Sequence, residues 1–454
     1  MERTYISQTV DKIGQLVRLK GYINTVRDHG KITFIDLRDK TGVLQCVGTD
    51  LKIQLRGEDV VEIEGAVKSR PEKMVNEKLP TGKVELAIVK LTVIEKADEL
   101  PFDLGGNDLN VSLPVLLDYR SLTLRHPKSQ AIFKVQNQVV KTFRDYLSSQ
   151  GFVEFNAPTI VPVATEGGAN VFPIKYFEHD CYLAQSPQLY KQIMVGVFER
   201  VFSVARAYRA EPSVTTRHIC EYVSLDAEMG FIDSWTEVMD VLENLFKKVF
   251  ADIDLNCKDE LALFDQTVPR VENLIPRIKM REAQQIIFER TGVDHRAEKD
   301  LEPEDEREIC RWAAETKGSE LVFVTHYPTA KRAFYTMPDP ADPEFSLSFD
   351  LLGRGLEWVS GSQRINNHKE LVKAVELRGN NVKDFELYLQ AFKYGMPPEG
   401  GFALGAERIT MQILGLENIR EATLFPRDME RVDIKLSSLK TQKNAKKIPL
   451  KKTP

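Results

Sequence analysis

Residues 201–231, VFSVARAYRAEPSVTTRHICEYVSLDAEMGF, constrain this chain more than any other stretch. They read as a strand, a polar loop and a returning strand. Alternation along the first strand puts Val201, Ser203, Ala205, Ala207 and Arg209 on one face. The small residues leave that face open, and Arg209 projects from its end. The loop adds Glu211, Arg217 and His218. On the return strand Val223, Leu225, Ala227 and Met229 suit a core, while Ser224, Asp226 and Glu228 share the other face. Unpaired buried charge is costly, so a buried hairpin with such a face needs a polar ligand. Arginine and histidine suit phosphates; carboxylates suit an ammonium or a metal. The competing reading is a solvated hairpin with surface ion pairs, and the run of small residues before Arg209 speaks against it.

A chain of 454 residues exceeds the usual size of one core, which implies two or three domains. Its 62 basic and 67 acidic residues nearly balance, so any contact with nucleic acid must use local patches. The five cysteines are scattered and suggest neither a disulfide framework nor a zinc site. The N-terminus lacks an apolar signal core and no run approaches a membrane span, so a soluble cytoplasmic protein is expected.

Residues 1–100 read as short strands separated by turn residues such as Asp28-His29-Gly30 and Asp39-Lys40-Thr41-Gly42. Five strands in this span suit an OB-fold barrel, whose open face often binds single-stranded nucleic acid. There Phe34 is placed to stack on a base, and Gln45 or Arg27 to read a base edge; the competing reading makes Phe34 core. Residues 101–125, with prolines, acids and a glycine pair, read as a hinge. Helical spacing of Ile132, Phe133, Val139, Val140, Phe143 and Leu147 opens a larger unit at 126–430, with an insertion at about 255–320. Pro158 puts the strand before it at a sheet edge or interface.

Thr165-Glu166-Gly167-Gly168 looks like a mobile loop, and Ser186-Pro187-Gln188 like a turn opening a helix that carries Lys191. The acidic run EKDLEPEDERE reads as a solvated face. Asp350, Glu357, Ser360 and Arg364 punctuate a further strand pair. Gly400-Gly401-Phe402-Ala403-Leu404-Gly405 lets backbone approach a ligand, and Arg408 sits at the start of the helix that follows, where anions are favoured. Residues 431–454 turn basic and are expected to be disordered; their role stays open.

Three segments together resemble the class II aminoacyl-tRNA synthetases. The helix and strand ending at Pro158 are similar to the family's first motif, YRAEPSVTTRH with DAEM to the second, and GFALGAERI to the third. An OB-fold ahead of the catalytic domain is the arrangement of the aspartate–asparagine–lysine subgroup. ATEGGA, QSPQLYKQ, YGMPPEGGFALGAERI and NIREATLFPRD extend the resemblance to the archaeal-type aspartyl enzymes over residues 1–430. The implied fold class is α+β: a five-stranded OB barrel for the anticodon, then a catalytic antiparallel sheet flanked by helices.

The resemblance implies attachment of L-aspartate to tRNA(Asp) through aspartyl-adenylate, with ATP as substrate and Mg2+. It makes Arg209 and Arg408 catalytic. Arg209 would hold the α-phosphate and the attacking carboxylate, and Arg408 would meet the γ-phosphate and lie against the base. Glu211 would contact adenine; Arg217 and His218 would hold the outer phosphates. Ala210, Ile219, Gly405, Ala406 and Glu407 complete the ATP site, and Glu357 with Ser360 would carry magnesium.

Lys191 and Arg364 match the two cations that hold the aspartate side chain. Glu166 and Gln188 would bind or screen its ammonium with support from Asp226, and Leu189, Tyr190 and Ser360 complete that site. An amide would leave both cations without their anion, which favours aspartate over asparagine. Phe34, Gln45 and Glu85 match anticodon contacts, and Arg27 stays a candidate from the strand pattern alone. Asn24 and Pro80 fall where relatives differ in tRNA discrimination, and their identities lean towards a relaxed enzyme that also charges tRNA(Asn). Such an enzyme needs an amidotransferase partner.

The family further implies a homodimer in which the apolar face over residues 132–147 pairs across a two-fold axis. Asn170, where relatives usually carry an acid, and the hybrid segment Trp358-Val359-Ser360-Gly361-Ser362 depart from the aspartyl pattern. Two other readings stay open: an asparaginyl enzyme with an unusual pocket, and a synthetase-like RNA-binding paralogue without catalysis. The presence of Arg209, Glu357 and Arg408 together speaks against the second.

Overall fold

The computed structural model describes residues 1–436 apart from 78, 107, 164–169, 213 and 434. Glu166 with its glycine loop, and the lysine-rich end from 437, lie outside the described residues. The chain forms two compact units, Met1–Pro127 and Lys128–Pro454.

Five strands build the first unit: β1 (Leu16–Asp28), β2 (Ile32–Asp39), β3 (Gly42–Thr49), β4 (Val60–Ser69) and β5 (Val84–Glu95). They close as a barrel in the order β1-β2-β3-β5-β4, with β4 returning to β1. The two-residue period decides what fills it. Ile23, Ile35, Leu37, Leu44, Cys46, Ile63 and Leu86 point inward and are wholly buried, while the intervening residues face out. Phe34 belongs to the outer wall, half-buried and edge-on to His29 at 5.8 Å, so it is not core. Glu58, buried, receives Arg38 at 2.5 Å and Arg125 at 3.0 Å. Residues 98–127 also belong to this unit: Leu104 is buried, and Phe102 packs edge-on to Tyr119.

The second unit is organised on a sheet of eight strands: β6 (Val153–Glu154), β7 (Arg200–Tyr208), β8 (Glu221–Gly230), β9 (Arg277–Lys279), β10 (Leu321–Thr325), β11 (Ser348–Gly353), β12 (Leu356–Gln363) and β13 (Glu399–Gly405). Their order is β9-β10-β11-β12-β13-β8-β7-β6, antiparallel except for the two outermost pairs. Strand β6, two residues before the Asn156-Ala157-Pro158 segment, is indeed an edge. Helices α1 (Pro127–Ser149), α2 (Gln188–Phe198), α3 (Thr236–Asn256), α4 (Met280–Thr291), α5 (Pro303–Lys317), α6 (Glu386–Lys393) and α7 (Ala406–Leu414) pack around the sheet.

Leu225, Ala227 and Met229 of β8 enter the main core with Val238, Leu242 and Phe246 of α3 and Ile409 and Ile413 of α7. The apolar face of α1 enters the same core: Ile132, Val135, Val139, Phe143 and Leu147 are buried there, with Phe143 edge-on to Phe202 at 5.8 Å. This corrects the ground on which a dimer was expected, because that face already has its partner within the chain. The acidic run also departs from expectation. On α5 Asp305 and Glu308 are buried beside Ile309, Cys310 and Ala313. Asp305 accepts from His295 at 3.0 Å, and Glu308 pairs with Arg290 at 2.6 Å. Composition showed a polar run; the helical period turns part of it inward.

Candidate active site

The site stands on the sheet face opposite the α3 and α7 core, and strand register builds it. Asp226 of β8 lies across from Ala403 of β13, Ala403 from Ser360 of β12, and Ser360 from Asp350 of β11. One row deeper, Glu228 lies across from Gly401, Gly401 from Ser362, and Ser362 from Ser348. Small residues on β13 therefore form a floor between the acids of β8 and the hydroxyls of β12. Gly401 is required there: a Cβ would sit 2.2 Å from Glu228 Oε2 and from the Ala227 carbonyl oxygen.

Two cations reach this floor from other elements. Lys191, in the first turn of α2, is completely buried. Its Nζ lies 3.1 Å from Asp226 Oδ1, 3.3 Å from Glu228 Oε2 and 3.3 Å from the Phe402 carbonyl oxygen. Arg364, just past β12, gives Nε to Glu228 Oε1 at 2.6 Å, Nη2 to Oε2 at 3.1 Å and Nη1 to Ser362 Oγ at 2.5 Å. Ser224 Oγ donates to Asp226 Oδ2 at 2.5 Å. Glu228 is thus the shared anion of Lys191 and Arg364. Its two bonds to the guanidinium hold that planar group in one orientation.

The other end of the site carries the arginines. Arg209 lies past the end of β7 with its guanidinium 5.8 Å from the Tyr222 ring centre, and its N–H donates to the Cys220 carbonyl. Arg408, in the first turn of α7, donates to the Glu357 carbonyl oxygen at 3.2 Å and lies 3.7 Å from its carboxylate. His218 is fixed by Thr215 Oγ1 at 2.7 Å. A cavity of about 300 Å³ joins both ends. Gln188, Lys191, Arg209, Glu211, Arg217, His218, Ile219, Asp226, Glu357, Ser360, Arg364, Gly405, Glu407 and Arg408 all line it.

The remaining site candidates stand aside from that cavity. Leu189 and Tyr190 turn into the apolar cluster with Phe334, Tyr388 and Phe392. Ala406 is part of the main core, and the Ala210 N–H donates to the Asn170 carbonyl. Glu407, though at the rim, accepts the Val223 N–H with both oxygens, at 3.1 and 3.0 Å, and so ties α7 to β8.

Several polar residues of the site escaped the sequence reading. Arg332 donates to Ser360 Oγ at 3.1 Å and to Asp350 Oδ2 at 2.8 Å, with its guanidinium 4.0 Å from the Tyr327 ring centre. The basic pair Lys331-Arg332, a few residues after the buried strand β10, was a signal that could have found it. Glu306 of α5 points its Oε2 to within 4.0 Å of Arg217; burial, then the Glu357 charge, push its carboxyl up to about 7. Gln192 and Glu399 lie beneath the floor, and only the fold brings them together.

A divalent cation fits the arginine end by donor chemistry. Asp350 Oδ1 is buried without a hydrogen-bond partner among the described residues, and Glu357 and Ser360 add further hard oxygens. Among the described residues no three His, Cys, Asp or Glu side chains could hold a metal by themselves.

On the barrel, Arg27 and Phe34 are cross-strand partners, and Gln45 pairs with Asp36, two residues on from Phe34 on the same face. Glu85 lies on adjacent β5, 3.6 Å from Arg70. These side chains share the outer wall. Asn24 sits at a bulge in β1 and faces a cleft with Phe102 and Asp103. Pro80 is exposed in the turn before β5.

The family described as tRNA synthetases class II (D, K and N) matches residues 112–429, and the OB-fold nucleic acid binding domain matches residues 17–94. This chain is a class II tRNA synthetase of the D, K and N family. The synthetase is 44% identical to the aspartate–tRNA(Asp/Asn) ligase of Deinococcus radiodurans, over 95% of this chain and 99% of that one. It is 40% identical to the aspartate–tRNA(Asp) ligase of Pyrococcus horikoshii, over 95% and 100%. Among solved structures, asparaginyl-tRNA synthetase from Pyrococcus horikoshii complexed with asparaginyl-adenylate matches with a TM-score of 0.85 and 33% identity, covering 95% of this chain and 99% of that one. Among the described residues of the synthetase, no helix is long and apolar enough to cross a membrane.

The ion pairs of this synthetase generate a stability prediction. Lys191→Met leaves Asp226 and Glu228 buried without one of their cations. The expected loss is about 3–5 kcal/mol, read as a lower urea midpoint. Adding Asp226→Asn should recover part of it, and a double variant no more stable than the single would contradict the coupling.

Proposed function

We propose that the protein is an aspartate–tRNA ligase that joins L-aspartate to ATP as aspartyl-adenylate and then transfers it to tRNA(Asp), with tRNA(Asn) as a second acceptor. The observation that carries this reading is the pair of fully buried cations, Lys191 and Arg364, at the deep end of a cavity whose other end holds Arg209, Arg217 and Arg408. A side-chain carboxylate can accept from both cations, a charge-assisted contact that a neutral amide makes less well. The aspartate ligases among the relatives support the same choice.

In this reading the chain's residues divide the work by position. Gln188 and Asp226 face the α-ammonium. Arg209, at the arginine end, meets the α-carboxylate and the α-phosphate and stabilises the charge that gathers as the new P–O bond forms and pyrophosphate leaves. Glu211 receives the adenine amino group. Arg217, His218 and Arg408 hold the outer phosphates. Mg2+, held by Glu357 and Ser360 beside Asp350, would neutralise phosphate charge. Arg332 orients Ser360 and Asp350 from behind. No side chain need form a covalent bond; alignment of the two substrates supplies much of the rate.

Pyrophosphate exchange with aspartate and with asparagine tests the substrate. Aspartate should support it and asparagine should not; exchange with asparagine alone would make the protein an asparaginyl enzyme. Arg209→Ala should lower aspartate-dependent exchange several hundredfold, about 3–4 kcal/mol, with tRNA binding retained. Near-normal exchange would remove Arg209 from the mechanism.

A homodimer is part of the proposal, through the segment after α1. Its support is the edge strand β6 and the exposed apolar residues Val153, Ile160, Tyr176 and Phe177. Sedimentation at micromolar concentration should give twice the 51.7 kDa chain mass; a single-chain value would exclude it.

For the tRNA, the outer wall with Arg27, Phe34, Gln45 and Glu85 is the anticodon surface. Asn24 is a small side chain where a bulky one could reject the wrong first base, and Pro80 offers no backbone donor. Aspartate should therefore be placed on purified tRNA(Asp) and tRNA(Asn) with efficiencies within about a hundredfold, or roughly 2.7 kcal/mol. A wider gap would show a discriminating enzyme. Comparable charging implies an amidotransferase that converts the misacylated aspartate.

A further inference from the structure

Glu399, the first residue of β13, lies one row deeper than Glu228, across from Gly230. It is completely buried. Gln192 Nε2 donates to its Oε1 at 2.8 Å, while Oε2 has no hydrogen-bond partner among the described residues. Neither nearby cation pairs with it: Arg364 contacts Glu228 and Ser362, and Lys191 contacts Asp226, Glu228 and the Phe402 carbonyl. The deep end thus contains two cations and three carboxyl groups. With all three ionised it would carry a net negative charge and repel a substrate carboxylate.

We propose that Glu399 is a specificity-determining residue: a neutral carboxylic acid beneath the amino-acid pocket, whose retained proton lets Lys191 and Arg364 accept the side-chain carboxylate of the substrate. This rests on the reading of the pocket as an aspartate site. Burial and the charge of Glu228 hold the Glu399 carboxyl well above the usual carboxylate range; Gln192, Arg364 and Lys191 pull the other way and do not prevail. The groups facing it are Glu228 from β8, Arg364 after β12, Lys191 and Gln192 from α2, and Tyr388 from α6 with Tyr335.

The Glu399 side chain is also linked to the pocket through hydrogen bonds. Gln192 gives its amide N–H to Glu399, so its own carbonyl accepts the amide of Gln188 at 2.9 Å and the Tyr388 hydroxyl at 3.2 Å. Gln188 then keeps its carbonyl oxygen for the cavity it lines, with the polarity an ammonium needs. The sign with pH follows. Ionising Glu399 adds negative charge beside the substrate carboxylate, so aspartate affinity falls as pH rises through the carboxyl's midpoint, by about tenfold per pH unit beyond it.

The test is aspartate-dependent pyrophosphate exchange by the full chain and by Glu399→Gln, a neutral isostere whose carbonyl can still accept from Gln192. At pH 7 the variant should keep KM for aspartate within about threefold of wild type. With rising pH, KM of the wild type should climb while that of the variant lags behind; the substrate's own titration is common to both and cancels. Profiles that superpose to the most alkaline pH at which both proteins stay folded would overturn the proposal. So would a variant that binds aspartate more than about tenfold tighter at pH 7, since that would reveal a charged Glu399 in the wild type. Glu399→Met gives a second neutral side chain should the amide misfold, with the same expected profile. Absence of aspartate-dependent exchange in the wild type itself would refute the aspartate reading instead.

Discussion

The carboxylate of Glu228, shared between Lys191 and Arg364, is the contact on which the site depends. It joins a strand, a helix and the end of a second strand through three distances between 2.6 and 3.3 Å. Such a buried arrangement is weak as a source of stability, because desolvating the charges offsets much of their attraction. Its value is geometric. Both cations are oriented before a ligand arrives, and little reorganisation remains for binding. The small floor residues of β13 allow this, because nothing larger than glycine fits between Glu228 and Ser362.

The arginine end is built on another principle. Arg209, Arg217, His218 and Arg408 come from a strand end, a loop and the first turn of a helix, and face one cavity. Acids from behind restrain them: Glu357 contacts Arg408, and Glu306 faces Arg217. Ion pairs of this kind fix the direction of the guanidinium groups. One end of the cavity is a closed lattice of ion pairs, and the other gathers Arg209, Arg217 and Arg408 with Glu357 and Glu306 beside them.

Much of this was legible in the sequence, because its signals are local. Alternation along residues 201–231 separated Ser224, Asp226 and Glu228 from Leu225, Ala227 and Met229, and the structure keeps that division. The five barrel strands follow from the same period and from the turns between them. The resemblance to the class II synthetases placed Gln188, Lys191, Arg364 and Arg408 in candidate roles, and one cavity gathers them. Polar composition misled where it could not say which helical face turns inward, as on α5. Apolar periodicity on α1 likewise showed that a face must be covered, without saying by what.

The sequence by itself determined the barrel, the hairpin and its two faces, and which residue types stood ready for phosphate and carboxylate. A two-residue or 3.6-residue period is written in neighbouring residues and needs no distant partner. Only the tertiary structure decided the ion pairing. Lys191 meets Asp226 across 35 residues, Arg364 meets Glu228 across 136, and Gln192 meets Glu399 across 207. Whether each buried charge is cancelled, shared or left with its proton depends on groups far apart in the chain. Burial makes that choice consequential, because an uncompensated charge costs far more inside the protein than in water.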